Sequence, residues 1–152
     1  MGREDGHAIL SSACFQLGIT GAQITRSFSL LIQHTGLTHK QVGLLAVVDT
    51  GMASSQREIA AQLGVAPSLV VSLVDQLVNI GAVRRTRSTR DRRVQAVEIT
   101  DEGHGLLRIA TNVVETLDDD LRKHLSPGDL QDLDRLLPLL LQSSATAGRD
   151  RT

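Results

Sequence analysis

The apolar positions near the start of the chain fall at Leu10, Cys14, Leu17, Gly21, Ile24, Phe28 and Leu31, alternating by four and three residues. That spacing draws one seam along a helix and predicts an element from about Ala8 to His34. Gly18, Gly21 and the β-branched residues make it a poor helix alone, so it needs a packing partner. After Gly36, Thr38 is placed to cap a second helix, with Gln41 completing a capping box. Val42, Leu45, Ala46 and Val48 continue it to Gly51. Ser55 and Glu58 form another capping box ahead of Ile59, Ala60 and Leu63, with Ser54 and Ser55 read as capping residues. Gly64 ends that helix in a tight turn, and Pro67 suits the first position of the next. There Val70, Leu73, Val74 and Leu77 form the inward stripe, while Ser68, Val71, Ser72, Asp75 and Gln76 fall toward the other face. Gly81 closes it with the residue preferred for a left-handed cap. Two short helices joined by a glycine-containing turn make a helix-turn-helix, although the spacing alone also fits a plain helical hairpin.

The pattern then changes. Val83–Arg87 and Val94–Ile99 are β-prone and flank six polar residues centred on Arg90-Asp91, which predicts a hairpin attached to the second helix of the pair. Thr100 caps a further helix, with Asp101 and Glu102 near its positive end. Leu106, Ala110, Val113, Leu117 and Leu121 line it. Ser126-Pro127 opens the last helix, lined by Leu130, Leu133, Leu137 and Leu140 and expected to bend at Pro138. The predicted fold is mainly α with a small β-hairpin wing. A winged helix-turn-helix over 37–100 is flanked by helical regions at 8–36 and 101–142, with a flexible tail over 143–152.

Composition narrows the function. The 152 residues are 41% hydrophobic and 22% charged, which excludes wholesale disorder. The run Leu136–Leu141 is too short for a membrane span, and MGREDGHAIL lacks the apolar core of a signal peptide, so a cytoplasmic chain without membrane association is expected. Cys14 is the single cysteine, so there is no intrachain disulfide. With no Trp or Tyr and two Phe, a stacking platform for single-stranded nucleic acid is not expected. The net charge of −1 hides an asymmetry. Residues 84–93, RRTRSTRDRR, carry +5 and leave −6 on the remainder. A cationic patch on an acidic body points to a polyanion partner; a solvated basic loop is the plain alternative. Six arginines at a hairpin beside a helix-turn-helix serve DNA and have no evident structural need.

Four segments, in order, carry a family resemblance. They are Arg57-Glu58-Ile59-Ala60-x-x-Leu63-Gly64-Val65, Leu73-Val74-Asp75-x-Leu77-x-x-x-Gly81-x-Val83, Asp91-Arg92-Arg93, and Ile99-Thr100-Asp101-Glu102-Gly103. With them, residues 8–141 resemble the MarR family of bacterial winged-helix transcriptional regulators. The resemblance implies a homodimer joined through the first and last helices, with two lobes that bind an inverted repeat in double-stranded DNA. It also implies a repressor role and, in many members, a crevice for a small-molecule inducer. Arg93 would enter the minor groove, held by an ion pair with Asp91; a plain turn role also fits Asp91. The chain departs from its relatives at Ser72 and Gln76, where Arg is frequent, and in its basic wing tip, Ser88-Thr89-Arg90. Binding energy is therefore expected to rest more on the wing and phosphates than on base edges.

The candidate contacts follow from side-chain chemistry. Ser68 and Ser72 can bond base edges or phosphates, Val71 can meet a thymine methyl, and Gln76 is either a contact or solvated. Pro67 and Ser68 sit at a helix N-terminus that favours phosphate. Arg57, on the supporting helix, suits phosphate. Arg84, Arg85 and Arg87 suit phosphates or Glu98 across the hairpin, and Arg90, Arg92 and Arg93 complete the wing.

Cys14-Phe15-x-Leu17 resembles the organic-hydroperoxide-sensing branch of the family, so a redox-sensing repressor is one alternative. The tyrosines of that branch are missing. His39 and Val42 stand near their places, and His39 as a cation would lower the thiol pKa. The seam position favours a buried packing role for Cys14 instead. A winged-helix protein-interaction module without DNA binding is the other alternative. His7, His34, His39, His104 and His124 lack ligand spacing, and Asp118, Asp119 and Asp120 point in different directions, so no metal or cofactor is expected. No catalytic triad or phosphate loop marks an enzyme.

Overall fold

The computed structural model describes residues 2–89 and 92–147, with side chains described within 5–142. The elements are α1 (Gly2–Ser11), α2 (Ala13–Ile32), a 3-10 turn (Gln33–Thr35), α3 (His39–Asp49), α4 (Gln56–Leu63), α5 (Pro67–Asn79), β1 (Val83–Arg87), β2 (Gln95–Ile99), α6 (Asp101–Arg122) and α7 (Pro127–Ala147).

The one helix expected over 8–34 is two helices and a turn. Ser12 leaves the helical region at φ −68° and ψ 141°. Its hydroxyl donates to the Ile9 carbonyl at 2.7 Å instead of capping α2. Such local side-chain bonding is how serine competes with helix continuation. α1 also begins at Gly2, ahead of the expected Ala8. At the far end, α7 continues to Ala147, past Ser143, where a tail was expected.

Both capping boxes form. Thr38 Oγ1 accepts from the Gln41 N–H at 3.3 Å while Gln41 Oε1 accepts from the Thr38 N–H at 2.8 Å. Ser55 and Glu58 exchange the same pair of bonds at 3.1 and 3.2 Å. Helices α4 and α5 meet at 110°, within the range of a helix-turn-helix. The turn needs φ +64° at Gly64, which a residue with a Cβ adopts reluctantly.

The hairpin is antiparallel, from Val83 opposite Ile99 to Arg87 opposite Gln95. β2 starts one residue later than expected, at Gln95. A third short segment joins it: the Ser54 carbonyl accepts from the Val97 N–H at 2.8 Å, and Ser55 bridges to Ala96. Ser54 and Ser55, read as capping residues, thus also anchor the wing to the entrance of α4.

The core lies within the lobe. Ile32, Leu44, Leu45, Ile59, Val70, Val74, Leu77, Val83 and Val97 are fully buried, joining the end of α2 to α3, α4, α5 and the hairpin. The start of α6 packs on the hairpin base. Thr100 donates to the Gly81 carbonyl at 2.6 Å and caps α6 through Gly103 N–H at 3.1 Å. Outside the lobe the apolar stripes stay open. Leu10, Leu17, Ile24 and Leu31 of α1 and α2, and Leu136, Leu137, Leu139, Leu140 and Leu141 of α7, are exposed in the single chain.

Candidate nucleic-acid interface

The inward stripe of α5, Val70, Leu73, Val74 and Leu77, is buried as its spacing requires. That rotation leaves Pro67, Ser68, Val71, Ser72, Asp75 and Gln76 exposed. Val71 is 41% exposed and open to a partner on that face. Gln76 is neither free nor merely solvated. Its Oε1 accepts from Gln41 Nε2 at 2.8 Å, and its own Nε2 donates to Ser72 Oγ at 3.3 Å. Arg57 is exposed on the first turn of α4.

The wing arginines divide by partner. Arg84 donates through Nε and Nη2 to one oxygen of Glu98, at 3.1 and 3.0 Å, and Thr86 donates to the other at 3.1 Å. Arg85 reaches back from β1 to Asp75 of α5, an ion pair that ties the wing to the exposed face of that helix. Sequence reasoning expected phosphates or Glu98 for Arg85, because the helix–strand angle that brings Asp75 close is not local information. Arg87 is exposed and lines a small hollow of about 220 Å³ with Ser54, Glu58 and Glu98. Arg92 and Arg93 are exposed beyond it. Arg90 and Asp91, and with them the expected Asp91–Arg93 pair, lie outside the described residues.

A second feature stands between the lobe and the long helices. A cavity of about 520 Å³ is bounded by Ile24 and Phe28 of α2, Val42 and Ala46 of α3, and Leu117 and Leu121 of α6. Gln23, Ser27, His39, Asp118 and Asp120 supply its polar rim. His39 meets Phe28 edge to face, with ring centroids 5.4 Å apart. Both rim carboxylates are paired: Asp118 with Arg122 at 2.7 Å, and Asp120 with Lys123 at 2.9 Å. The Lys123 ammonium, by hydrogen bond and charge, holds the Asp120 carboxyl below its ordinary value.

Cys14 is exposed in the single chain, as are Leu17 and Ile24 of the same helix. It lies fourteen residues before Phe28 on α2, about 21 Å of helix rise. Because His39 packs on Phe28, it does not reach this thiol within one chain. Among the described residues no group of His, Cys, Asp or Glu could hold a metal ion. No single described helix is long and apolar enough to cross a membrane.

A helix pair meeting at 110°, an open polar face on its second helix and an arginine-bearing hairpin tied to that face define a winged helix-turn-helix protein. The family model for the MarR family matches residues 37–94, the span of the lobe through most of the wing. The transcriptional regulator TtmR of Methylorubrum extorquens is 30% identical over 105 residues, covering 69% of this chain and 54% of its own length. CouR of Rhodococcus jostii bound to p-coumaroyl-CoA superposes with a TM-score of 0.78 at 26% identity, covering 90% of this chain and 94% of its own. The repressor CouR bound to a 23-mer DNA duplex gives 0.73 at 28% identity, covering 88% and 92%. Residues 37–94 match the MarR family, and the fold along most of the chain is that of MarR-type winged-helix structures. The chain spans about half the length of the curated relatives it matches.

Proposed function

We infer that this chain is a cytoplasmic, homodimeric regulator of transcription that binds double-stranded DNA at an inverted repeat and acts as a repressor. The observation that carries the reading is the Asp75–Arg85 pair, which presents the polar face of α5 and the arginine wing as one surface. α5 enters the major groove with Ser68, Val71, Ser72 and Gln76 toward the bases and Pro67 near a phosphate. Arg57 and Arg87 meet phosphates. Arg90, Arg92 and Arg93 follow the minor groove, where A·T-rich flanks deepen the negative potential. The DNA-bound repressor CouR, similar to this chain over most of its length, supports the arrangement.

Dimerisation is supported by the open apolar stripes of α1, α2 and α7, which form a larger exposed surface than a chain of this size ordinarily leaves in water. The cavity between α2, α3 and α6 accepts a small apolar ligand that relieves repression, as its size and lining suit. CouR bound to p-coumaroyl-CoA is a related fold with a ligand.

Selection of duplexes by the purified protein, read at several stated salt concentrations, tests the reading together with sedimentation. The expected result is a dimer with no stable folded monomer at micromolar concentration. Its selected sites should have two-fold symmetry, with half-sites roughly 10 bp apart centre to centre. Selected sites without symmetry, or a stable monomer, would overturn it.

A further inference from the structure

We propose that Gln41, a buried residue of α3 out of reach of DNA, determines which base α5 favours by fixing which atom of Gln76 faces the major groove. The inference rests on the DNA-binding reading above. Gln41 is only 6% exposed, and no other polar or charged residue is found as deeply buried among the described residues. Its orientation is not arbitrary. The Thr38 backbone N–H at the start of α3 can only donate, so the Gln41 atom 2.8 Å away is its oxygen. The Gln41 amide nitrogen is therefore the atom facing Gln76, and the Gln76 atom 2.8 Å from it must accept. That places Gln76 Oε1 inward and Gln76 Nε2 outward, where one of its hydrogens meets Ser72 Oγ at 3.3 Å. Polarity is thus relayed from one backbone N–H through two amides to the exposed face of α5.

The relay changes what the helix can read. A free glutamine pairs with adenine by donating from its nitrogen and accepting on its oxygen. Here the oxygen is engaged by Gln41, and what remains outward is the second Nε2 hydrogen. Ser72 Oγ, already accepting from Gln76, keeps its own hydrogen to donate, and the hydroxyl can rotate it toward the groove. Two neighbouring donors match the base edge that offers two neighbouring acceptors in the major groove, N7 and O6 of guanine. This neutral pair occupies the positions of α5 at which the resemblance led us to look for arginine. It does arginine's work on guanine without arginine's charge.

The test is a change of base preference from a residue that never touches DNA. Gln41→Glu keeps an oxygen for the Thr38 N–H, so the cap survives. Its second oxygen can only accept, which turns the Gln76 amide over and brings Gln76 Oε1 outward. Affinities are measured for a selected operator with each base placed at each half-site position. The wild type is expected to favour guanine at one position by about five- to tenfold. Gln41→Glu should move that preference to adenine or cytosine, whose exocyclic amino groups donate. The added charge weakens every duplex alike and drops out of the ratio. Gln76→Glu, on the exposed face, presents acceptors whatever Gln41 does and should lose the guanine preference even if Gln41→Glu fails to fold. Unchanged guanine preference in either folded variant, or none in the wild type, overturns the relay while leaving DNA binding intact. Failure of the wild type to bind any duplex overturns the DNA-binding reading itself, and the relay with it.

Discussion

Arg85 of β1 is ion-paired with Asp75 of α5, so the wing and the reading helix are joined by a charge contact as well as by the chain between them. Both side chains are partly exposed, at 31% and 56%, and exposed pairs stabilise folds by at most about 1 kcal/mol. The value of this one lies in geometry, because it holds the hairpin at a fixed angle to α5. Asp75→Ala is therefore expected to leave the melting temperature nearly unchanged. It should free Arg85 for phosphate, tightening binding to unrelated duplexes while narrowing the gap between operator and non-operator. Parallel titrations on both duplexes check this; a loss of affinity on both would contradict it.

Gly103 marks a close approach at the root of α6. A Cβ there would stand 2.1 Å from the Ala82 carbonyl oxygen and 2.7 Å from Ile99 Cγ1. The carbonyl belongs to backbone and also accepts the Thr100 N–H at 3.1 Å, so it cannot swing aside cheaply. Gly103→Ala should cost about 1–3 kcal/mol through overpacking, despite alanine's better helix propensity. Thermal unfolding followed by circular dichroism reads it directly. Gly105→Ala, two residues on with only the end of Arg108 within 4 Å, serves as the control that should not destabilise.

The contrast between these sites explains what could be seen in the sequence. Both capping boxes close over three residues, so Thr38 with Gln41 and Ser55 with Glu58 were legible from spacing. The inward stripe of α5 was legible for the same reason, since Val70, Leu73, Val74 and Leu77 obey one period. Asp75–Arg85 and Gln41–Gln76 were not, because each depends on the angle at which two elements meet. The Ser54–Val97 bond escaped notice because its segment is too short to show strand alternation. Ser12 separates α1 from α2 through hydroxyl geometry that an apolar seam does not record. Arg90 and Asp91 lie outside the described residues, so Asp91→Ala, expected to weaken binding by releasing Arg93, remains a test of the resemblance.

The junction of α6 and α7 should respond to acid. Arg122 donates to Asp118 of its own helix at 2.7 Å and to Asp134 of α7 at 2.6 Å. The hydrogen bond from the Arg122 guanidinium holds the Asp134 carboxyl below its ordinary value of 3.8, and the same contacts raise the Arg122 pKa. A carboxyl with a lowered folded-state pKa binds fewer protons folded than unfolded. Its stabilisation is present above 3.8 and is lost as pH falls through the lower folded value. Stability measured between pH 5 and 2 should fall less steeply for Asp134→Asn than for the wild type. Equal slopes would show that this pair does not couple to folding.

Arg84 and Arg87 lie on the same strand and carry the same charge, and charge counting gives them equal weight on DNA. Their surroundings differ. Arg84 places two N–H groups on Glu98, so a phosphate must compete with a carboxylate already in place. Arg87 has no such carboxylate partner among the described residues and stands exposed toward the wing tip. Arg87→Ala should reduce the slope of log affinity against log salt by about one to two units for a dimer losing one phosphate contact per subunit. Its effect should be nearly the same on every sequence, as for any phosphate contact. Arg84→Ala should change the slope by much less, and Glu98→Gln should raise the contribution of Arg84 toward that of Arg87. Arg93→Ala should cost more affinity than Arg57→Ala, and more on A·T-rich flanks than on G·C-rich ones, because a minor-groove arginine gains from groove narrowing. Salt titrations of these variants on operators with both kinds of flank separate the roles. Equal slope changes for Arg84→Ala and Arg87→Ala would show that Glu98 yields to DNA, and flank-independent loss in Arg93→Ala would reduce Arg93 to a phosphate contact.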